Sequence, residues 1–165
     1  MIKNNWDEIL VKVFVIYDTK YGNTKLAAEK ILEGISEVEG FETTIGYVKE
    51  IDVGKVANYD ALVLGAPNHM GRPSRTMKKF VDQLSELDLK AKHVAVFGTY
   101  SGTVRSPDRA VKKLELMVKK RLPSLNLISP GLSIRVKGIP GPIVKEELPK
   151  CVDFGKKIAS HLKGQ

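Results

Sequence analysis

VFVIYDTKYGNTKLAAEK, residues Val13 to Lys30, decides how this chain folds. An apolar run from Val11 to Tyr17 gives way at once to small and polar residues. Asn23-Thr24 then opens a segment whose apolar positions, Ala27, Ala28, Ile31, Ile35 and Val38, recur at helical spacing. The pattern predicts a strand, a tight loop and a helix start. Free backbone N–H groups at such a start, with the positive end of the helix dipole behind them, form a ready phosphate site. Thr19, Tyr21, Asn23 and Thr24 can add side-chain donors, and Gly22 lets the backbone approach an anion closely. The plain alternative is an ordinary strand-to-helix turn capped by Thr or Asn.

Four further strand candidates follow. Phe41 to Tyr47 alternates as an edge or half-exposed strand does. Ala61 to Ala66 and His93 to Phe97 are short apolar runs, as expected for central strands covered on both faces. Leu125 to Val136 is interrupted by Ser129-Pro130-Gly131 and is expected to be bent or peripheral. Apolar stripes at helical spacing separate them: Met77, Phe80, Val81, Leu84 and Leu87, then Val111, Leu114, Met117 and Val118. A last helical segment, Leu148 to Leu162, closes the chain. Regular alternation of strand and helix predicts a parallel sheet with helices on both faces, in one domain spanning residues 1–165.

Two central strands run into chemically unusual loops, Pro67-Asn68-His69-Met70-Gly71-Arg72-Pro73-Ser74 and Gly98-Thr99-Tyr100-Ser101-Gly102-Thr103. In open α/β sheets ligands bind beyond the carboxyl ends of strands, where the strand order reverses. Three loops rich in Gly, Thr, Ser and Asn are therefore expected to converge on one crevice.

Composition narrows the classes. The 165 residues are 42% hydrophobic and 28% charged, a balance that suits a globular fold with its own core. No apolar run approaches the ~20 residues that a membrane-spanning helix needs. Met1 to Ile9 carries Trp6, Asp7 and Glu8 in place of an apolar signal core, and the lone Cys151 permits no internal disulfide. Both features fit a reducing cytoplasm. Cys151 shares a helical stripe with Phe154, Ile158 and Leu162, which predicts a buried core residue.

At this point the residues resemble a flavodoxin. Thr19-Lys20-Tyr21-Gly22-Asn23-Thr24 is similar to the family's phosphate loop, with Tyr21 where a Thr or Ser is usual. The wider string from Tyr17 to Thr24 resembles more closely the flavodoxin domain of flavodiiron proteins, as does Gly98-Thr99-Tyr100. The resemblance runs from Val11 to Leu162 and implies a short-chain flavodoxin-like fold. That fold is a five-stranded doubly wound parallel sheet of order 2-1-3-4-5.

The resemblance also implies FMN as cofactor, no metal, and no catalytic residue. Thr19, Lys20, Tyr21, Gly22, Asn23 and Thr24 would form the first cofactor loop, with Lys20 facing solvent. Pro67, Asn68, His69, Met70 and Gly71 would form the second, and Gly98, Thr99, Tyr100, Ser101 and Gly102 the third. Met70 and Tyr100 are the expected walls of the flavin ring, while His69 is expected to be a surface histidine. Asp18, beside the phosphate loop, is expected to turn away and bond a loop N–H. In the family a peptide at the Met-Gly position rotates so that its carbonyl meets flavin N5, and Gly71 tolerates the positive φ this needs. The implied function is a single-electron carrier cycling through a semiquinone.

The net charge of +8 lies in one place. Residues 72–124 hold 13 of the 27 Lys/Arg and 5 of the 19 Asp/Glu, so the remainder is balanced. Arg72, Arg75, Lys78, Lys79, Arg105, Arg109, Lys112 and Lys113 all flank the candidate loops. Electrostatic guidance of an acidic redox partner, such as a ferredoxin or a di-iron subunit, is the expected use. The plain alternative is a solvated lysine-rich face. The basic residues are not interleaved with stacking aromatics, which argues against nucleic acid. The rival function is an NAD(P)H-dependent quinone or flavin reductase of the same fold, acting by hydride transfer. A third is an interaction domain that has lost its cofactor. The expected assembly is a monomer or a homodimer.

Overall fold

Apolar residues in both parities need cover on both faces, and the strands of this chain receive it. Its computed structural model describes residues 9–102 and 105–164. The N-terminal stretch with Trp6, Asp7 and Glu8, and Thr103 of the third loop, lie outside the described residues. The strands are β1 (Val11–Tyr17), β2 (Phe41–Tyr47), β3 (Ala61–His69), β4 (His93–Ser101) and β5 (Asn126–Val136). The helices are α1 (Asn23–Ser36), a single turn α2 (Val53–Val56), α3 (Arg75–Leu84), α4 (Arg109–Arg121) and α5 (Leu148–Lys163).

The five strands are parallel in the order β2-β1-β3-β4-β5, the doubly wound order expected from the sequence. Val13, Val15 and Tyr17 of β1 pack with α1 and α5 on one face, while Phe14 and Ile16 pack with α3 and α4 on the other. Each fully buried Ile, Leu or Phe contributes about 1.5–3 kcal/mol. Truncating Leu62 or Leu64, both fully buried on the central strand β3, is therefore expected to cost about 2–5 kcal/mol. Cys151 is buried in the first of these layers. Gly34 of α1 and Gly155 of α5 meet backbone to backbone, a closeness that any side chain would prevent.

The sheet reaches further than the apolar runs did. β3 continues through Pro67, Asn68 and His69 because Asn68 and His69 pair antiparallel with Pro73 and Arg72. β4 continues through Gly98 to Ser101 because those residues pair with Ser133 to Val136 of β5. Two of the three candidate loops are thus largely strand, stiffened by the sheet. The expected bend in β5 is a register shift opposite Val96, where Ser129-Pro130-Gly131 bulges out of the ladder. The Gly131 N–H freed by the bulge donates to Glu115 Oε2 of α4 at 3.3 Å.

Candidate functional site

Strand register assembles the site. Tyr17 pairs with Gly65, and Pro67 with Thr99, so the carboxyl ends of β1, β3 and β4 lie side by side. The chain goes from β1 outward to β2 and then crosses back to β3. A crevice opens at that reversal, lined by Thr19, Tyr21, Asn23, Thr24, Pro67, Asn68, His69, Thr99, Tyr100 and Ser101. All of these were expected from the sequence.

The start of α1 is uncapped. Gly22 occupies the N-cap position with φ 90°, and no side chain bonds the first helical N–H groups. Side chains able to cap the helix are engaged elsewhere. Thr19 Oγ1 accepts from the Gly22 N–H at 2.9 Å and so holds the loop closed. The Asn23 side-chain amide donates to the Pro140 carbonyl at 2.7 Å. The Thr24 hydroxyl is buried and lies 2.9 Å from the Thr99 hydroxyl. The N–H groups of Asn23, Thr24 and Lys25 are orphans of the first helical turn, and space beside Gly22 is open. That cradle fits a phosphate.

Asp18 is buried, and its Oδ1 accepts from the Thr19 N–H at 3.0 Å, turning the carboxylate onto the loop backbone. Lys20 is exposed, with its ammonium 5.4 Å from the Tyr21 ring centre. Tyr21 itself is half exposed at the mouth of the crevice. Beneath the loop, burial is the main cause that raises the Tyr17 phenol above its ordinary value, with Glu50, Glu29 and the stacked Tyr47 adding to it.

The second candidate loop is a two-residue hairpin turn. His69 pairs with Arg72, leaving Met70 (φ 55°) and Gly71 (φ 80°) at the tip. Two successive positive φ values define the type I′ turn whose twist matches that of the flanking strands. The Gly71 N–H donates to Asn68 Oδ1 at 2.6 Å. Met70 is 97% exposed, so its side chain fills no gap in the core. His69 is exposed as well.

In the third loop Gly98 and Thr99 are buried, Tyr100 and Ser101 are half-buried, and the Gly102 N–H donates to the Val136 carbonyl at 3.3 Å. Gly102, at φ 69°, ends the strand with open space beside it.

Sequence reasoning missed one wall. Val136 at the end of β5, with Gly138 and Ile139 on the strap that follows it, also lines the crevice, and the strap is tied to α1 by the bond from Asn23 to Pro140. Its signal was present in Gly138-Ile139-Pro140-Gly141-Pro142, a Gly/Pro turn carrying one exposed isoleucine. A second cleft shares Thr19, Lys20, Pro67 and His69 with the first. Its remaining wall includes Lys49, Arg72, Arg75 and Lys78. Among the described residues none of these four takes part in an ion pair.

Comparison with known proteins matches the flavodoxin family model to residues 15–131. The chain belongs to the flavodoxin family. Members of this family are FMN-binding electron carriers. A flavodoxin of Aquifex aeolicus (strain VF5) is 44% identical over 73 residues, a match covering 44% of this chain and 40% of that protein. A flavodoxin of Clostridium saccharobutylicum is 27% identical over 161 residues, covering 93% of this chain and 98% of its own length. Among solved structures, a flavodoxin from the domain Archaea superposes with a TM-score of 0.77 at 23% identity, covering 93% of this chain and 99% of that one. A flavodiiron core from Synechocystis sp. PCC6803 superposes at 0.74 and 20% identity, covering 96% of this chain and 37% of that one. The shared fold thus extends to the flavodiiron proteins that the loop motifs resemble. No helix among the described residues is long and apolar enough to cross a membrane.

Proposed function

We propose that this flavodoxin-family protein binds FMN in the crevice between β1, β3 and β4 and carries single electrons between redox partners in the cytoplasm. The observation that carries the reading is the uncapped start of α1, with its orphan N–H groups and the Thr19-closed loop at the sheet's reversal point. In flavodoxin-like sheets of this strand order the flavin is already known to sit at the β1/β3 switch point. Residues Thr19 to Thr24 hold the phosphate by backbone and hydroxyl donors. Pro67 to Gly71 and Gly98 to Gly102 flank the ring, with Tyr100 as the stacking wall. Exposed Met70, on the hairpin tip, folds over the other face of the ring when the cofactor is in place.

Bound FMN supplies the one-electron chemistry, and the protein's part is to bind it, shield it and bias its electron count. A turn held by glycine at positive φ lets the Met70–Gly71 peptide present its carbonyl or its N–H to the ring edge. A carbonyl of this turn that bonded only the singly reduced, protonated cofactor would favour that state by about 0.5–1.5 kcal/mol. The cations around the second cleft attract an acidic partner, a ferredoxin or a di-iron subunit being the chemistry that fits.

The test is titration of the purified apoprotein with FMN, followed by stepwise anaerobic reduction under an absorption spectrometer. Stoichiometric binding and a long-lived semiquinone band support the carrier. The same basic cleft also suits a nicotinamide nucleotide, itself a polyanion, and so keeps the hydride-transfer reading in view. Direct reduction of the bound flavin by NAD(P)H, with no semiquinone, would establish the reductase instead.

A further inference from the structure

Arg109 is the first residue of α4, behind Asp108 at the N-cap. A cation is disfavoured there by the positive end of the helix dipole. Among the described residues no carboxylate comes within ion-pair distance of its guanidinium. Arg109 also sits among like charges. The neighbouring Lys113 ammonium is pushed below its ordinary value by desolvation first, and then by Arg109, Arg72 and Lys78. Neither the dipole nor a counter-ion accounts for where this side chain lies.

Its position is nevertheless specific. A Cβ added to Gly71 would stand 2.9 Å from Arg109 Cδ, 3.2 Å from Nε and 3.4 Å from Cζ. The side chain therefore crosses from α4 to the hairpin tip and lies along the glycine backbone. Gly71 satisfies two separate demands: its φ of 80°, and the surface it leaves bare for the arginine.

We infer that Arg109 is a positioning residue for the Met70–Gly71 turn, seated on Gly71 so that it braces the left-handed hairpin and fixes one positive charge beside its central peptide. The electrostatic half of this inference rests on the FMN reading, and the bracing half does not. Bracing restricts the turn to the form that Asn68 also holds through the Gly71 N–H. The fixed charge favours a carbonyl pointing toward it and, with flavin bound, favours added electrons on the ring.

A double-mutant cycle on the apoprotein tests the bracing half. Gly71→Ala, Arg109→Ala and the double variant are compared by thermal and denaturant unfolding. Arg109→Ala should relieve the crowding part of the Gly71→Ala defect, making the double variant more stable than additivity allows. Strict additivity overturns the contact. Should Gly71→Ala fail to fold, Arg109→Ala and Arg109→Lys in the native background carry the test with FMN bound. Arg109→Ala should weaken binding of fully reduced relative to oxidised FMN by roughly 3- to 10-fold at low salt, and Arg109→Lys should restore most of it. Equal ratios in all three proteins overturn the electrostatic half. If the wild type binds no FMN, the proposed function fails, while the apoprotein cycle still decides the brace.

Discussion

The hydroxyls of Thr24 and Thr99 lie 2.9 Å apart, both buried, and join the first turn of α1 to the third candidate loop across 75 residues of sequence. One hydroxyl must donate to the other, so a single hydrogen of the pair remains to be given elsewhere.

Thr24→Val removes the pairing without changing shape and strands the Thr99 hydroxyl in a buried place. The expected loss of apoprotein stability is about 1–3 kcal/mol, and the Thr24→Val/Thr99→Val double variant should lose less than the two singles together. Denaturant unfolding of the four proteins checks this. FMN affinity adds a second readout. If the α1 cradle holds the phosphate, Thr19→Ala and Thr24→Val should each weaken binding by about 1–3 kcal/mol. Unchanged affinity in both variants would sink the phosphate-loop assignment.

Met70 is the sole non-glycine residue with positive φ among the described residues, and it is fully exposed. Left-handed backbone costs a residue with a Cβ about 1–2 kcal/mol, with Asn the best tolerated. Met70→Asn creates the Asn-Gly pair favoured in type I′ turns. It should stabilise the apoprotein by about 1 kcal/mol, seen as a higher melting temperature. The same variant should bind FMN more weakly if methionine forms a wall of the ring. A lowered melting temperature would mean that the turn is not strained at this position.

The strap after β5 should act as a clasp on the cofactor site. Gly141, at φ 115°, packs so tightly on Asn23 that an added Cβ would stand 2.6 Å from its amide. Gly141→Ala and Asn23→Ala should both release the strap and speed FMN dissociation, Asn23→Ala through loss of its bond to Pro140. Stopped-flow release of FMN into excess apoflavodoxin reads this directly. Dissociation rates equal to wild type in both variants would leave the strap a bystander.

How much of this was legible follows from what each signal depends on. The Val11–Tyr17 strand, its loop and the α1 stripe are local patterns, and residue order alone carries them. The lengths of β3 and β4 are not local. Pro67 and Asn68 look like loop residues, yet Asn68 is recruited by Pro73, and Gly98 to Ser101 are recruited by β5. Thr24 illustrates the same limit within the site. Its spacing marked it as a phosphate donor, but only the fold reveals Thr99 beside it. The strap was overlooked because Gly and Pro announce a turn without saying what that turn leans on. Arg109 was legible as charge and illegible as a contact, since nothing in sequence places the start of α4 over Gly71.

Cys151 gives the pH prediction. Burial first, and Glu147 second, raise its thiol from 9.0 to about 12. The folded state therefore holds the proton more tightly than the unfolded chain. This contribution to stability is complete below about pH 9 and is lost progressively as pH rises toward 12. Cys151→Ala should flatten that alkaline decline while lowering stability at neutral pH through the lost packing. Native protein should also resist alkylation at pH 8, because almost no thiolate forms and the sulfur is buried. Rapid labelling without unfolding would contradict the assigned environment.

The basic face should govern both the flavin's potential and its partner's approach. Arg75, Lys78 and Lys112 are exposed and take no part in ion pairs among the described residues, so reversing them to Glu disturbs charge with little disturbance of packing. Fully reduced flavin is anionic, and a unit charge ~10 Å away at an effective dielectric of 20 contributes about 1.7 kcal/mol before screening. Salt cuts this sharply, because the Debye length at 0.1 M is also about 10 Å. The triple reversal should therefore make the second electron harder to add at low ionic strength. It should also slow electron exchange with an acidic ferredoxin, and both effects should fade together as salt is raised. Stopped-flow rates across an ionic-strength series separate guidance from simple solubility. If the wild-type rate falls steeply with salt and the reversed protein's rate is flat or rises, the cations steer the partner. If the two proteins share one salt dependence, the partner docks on another face.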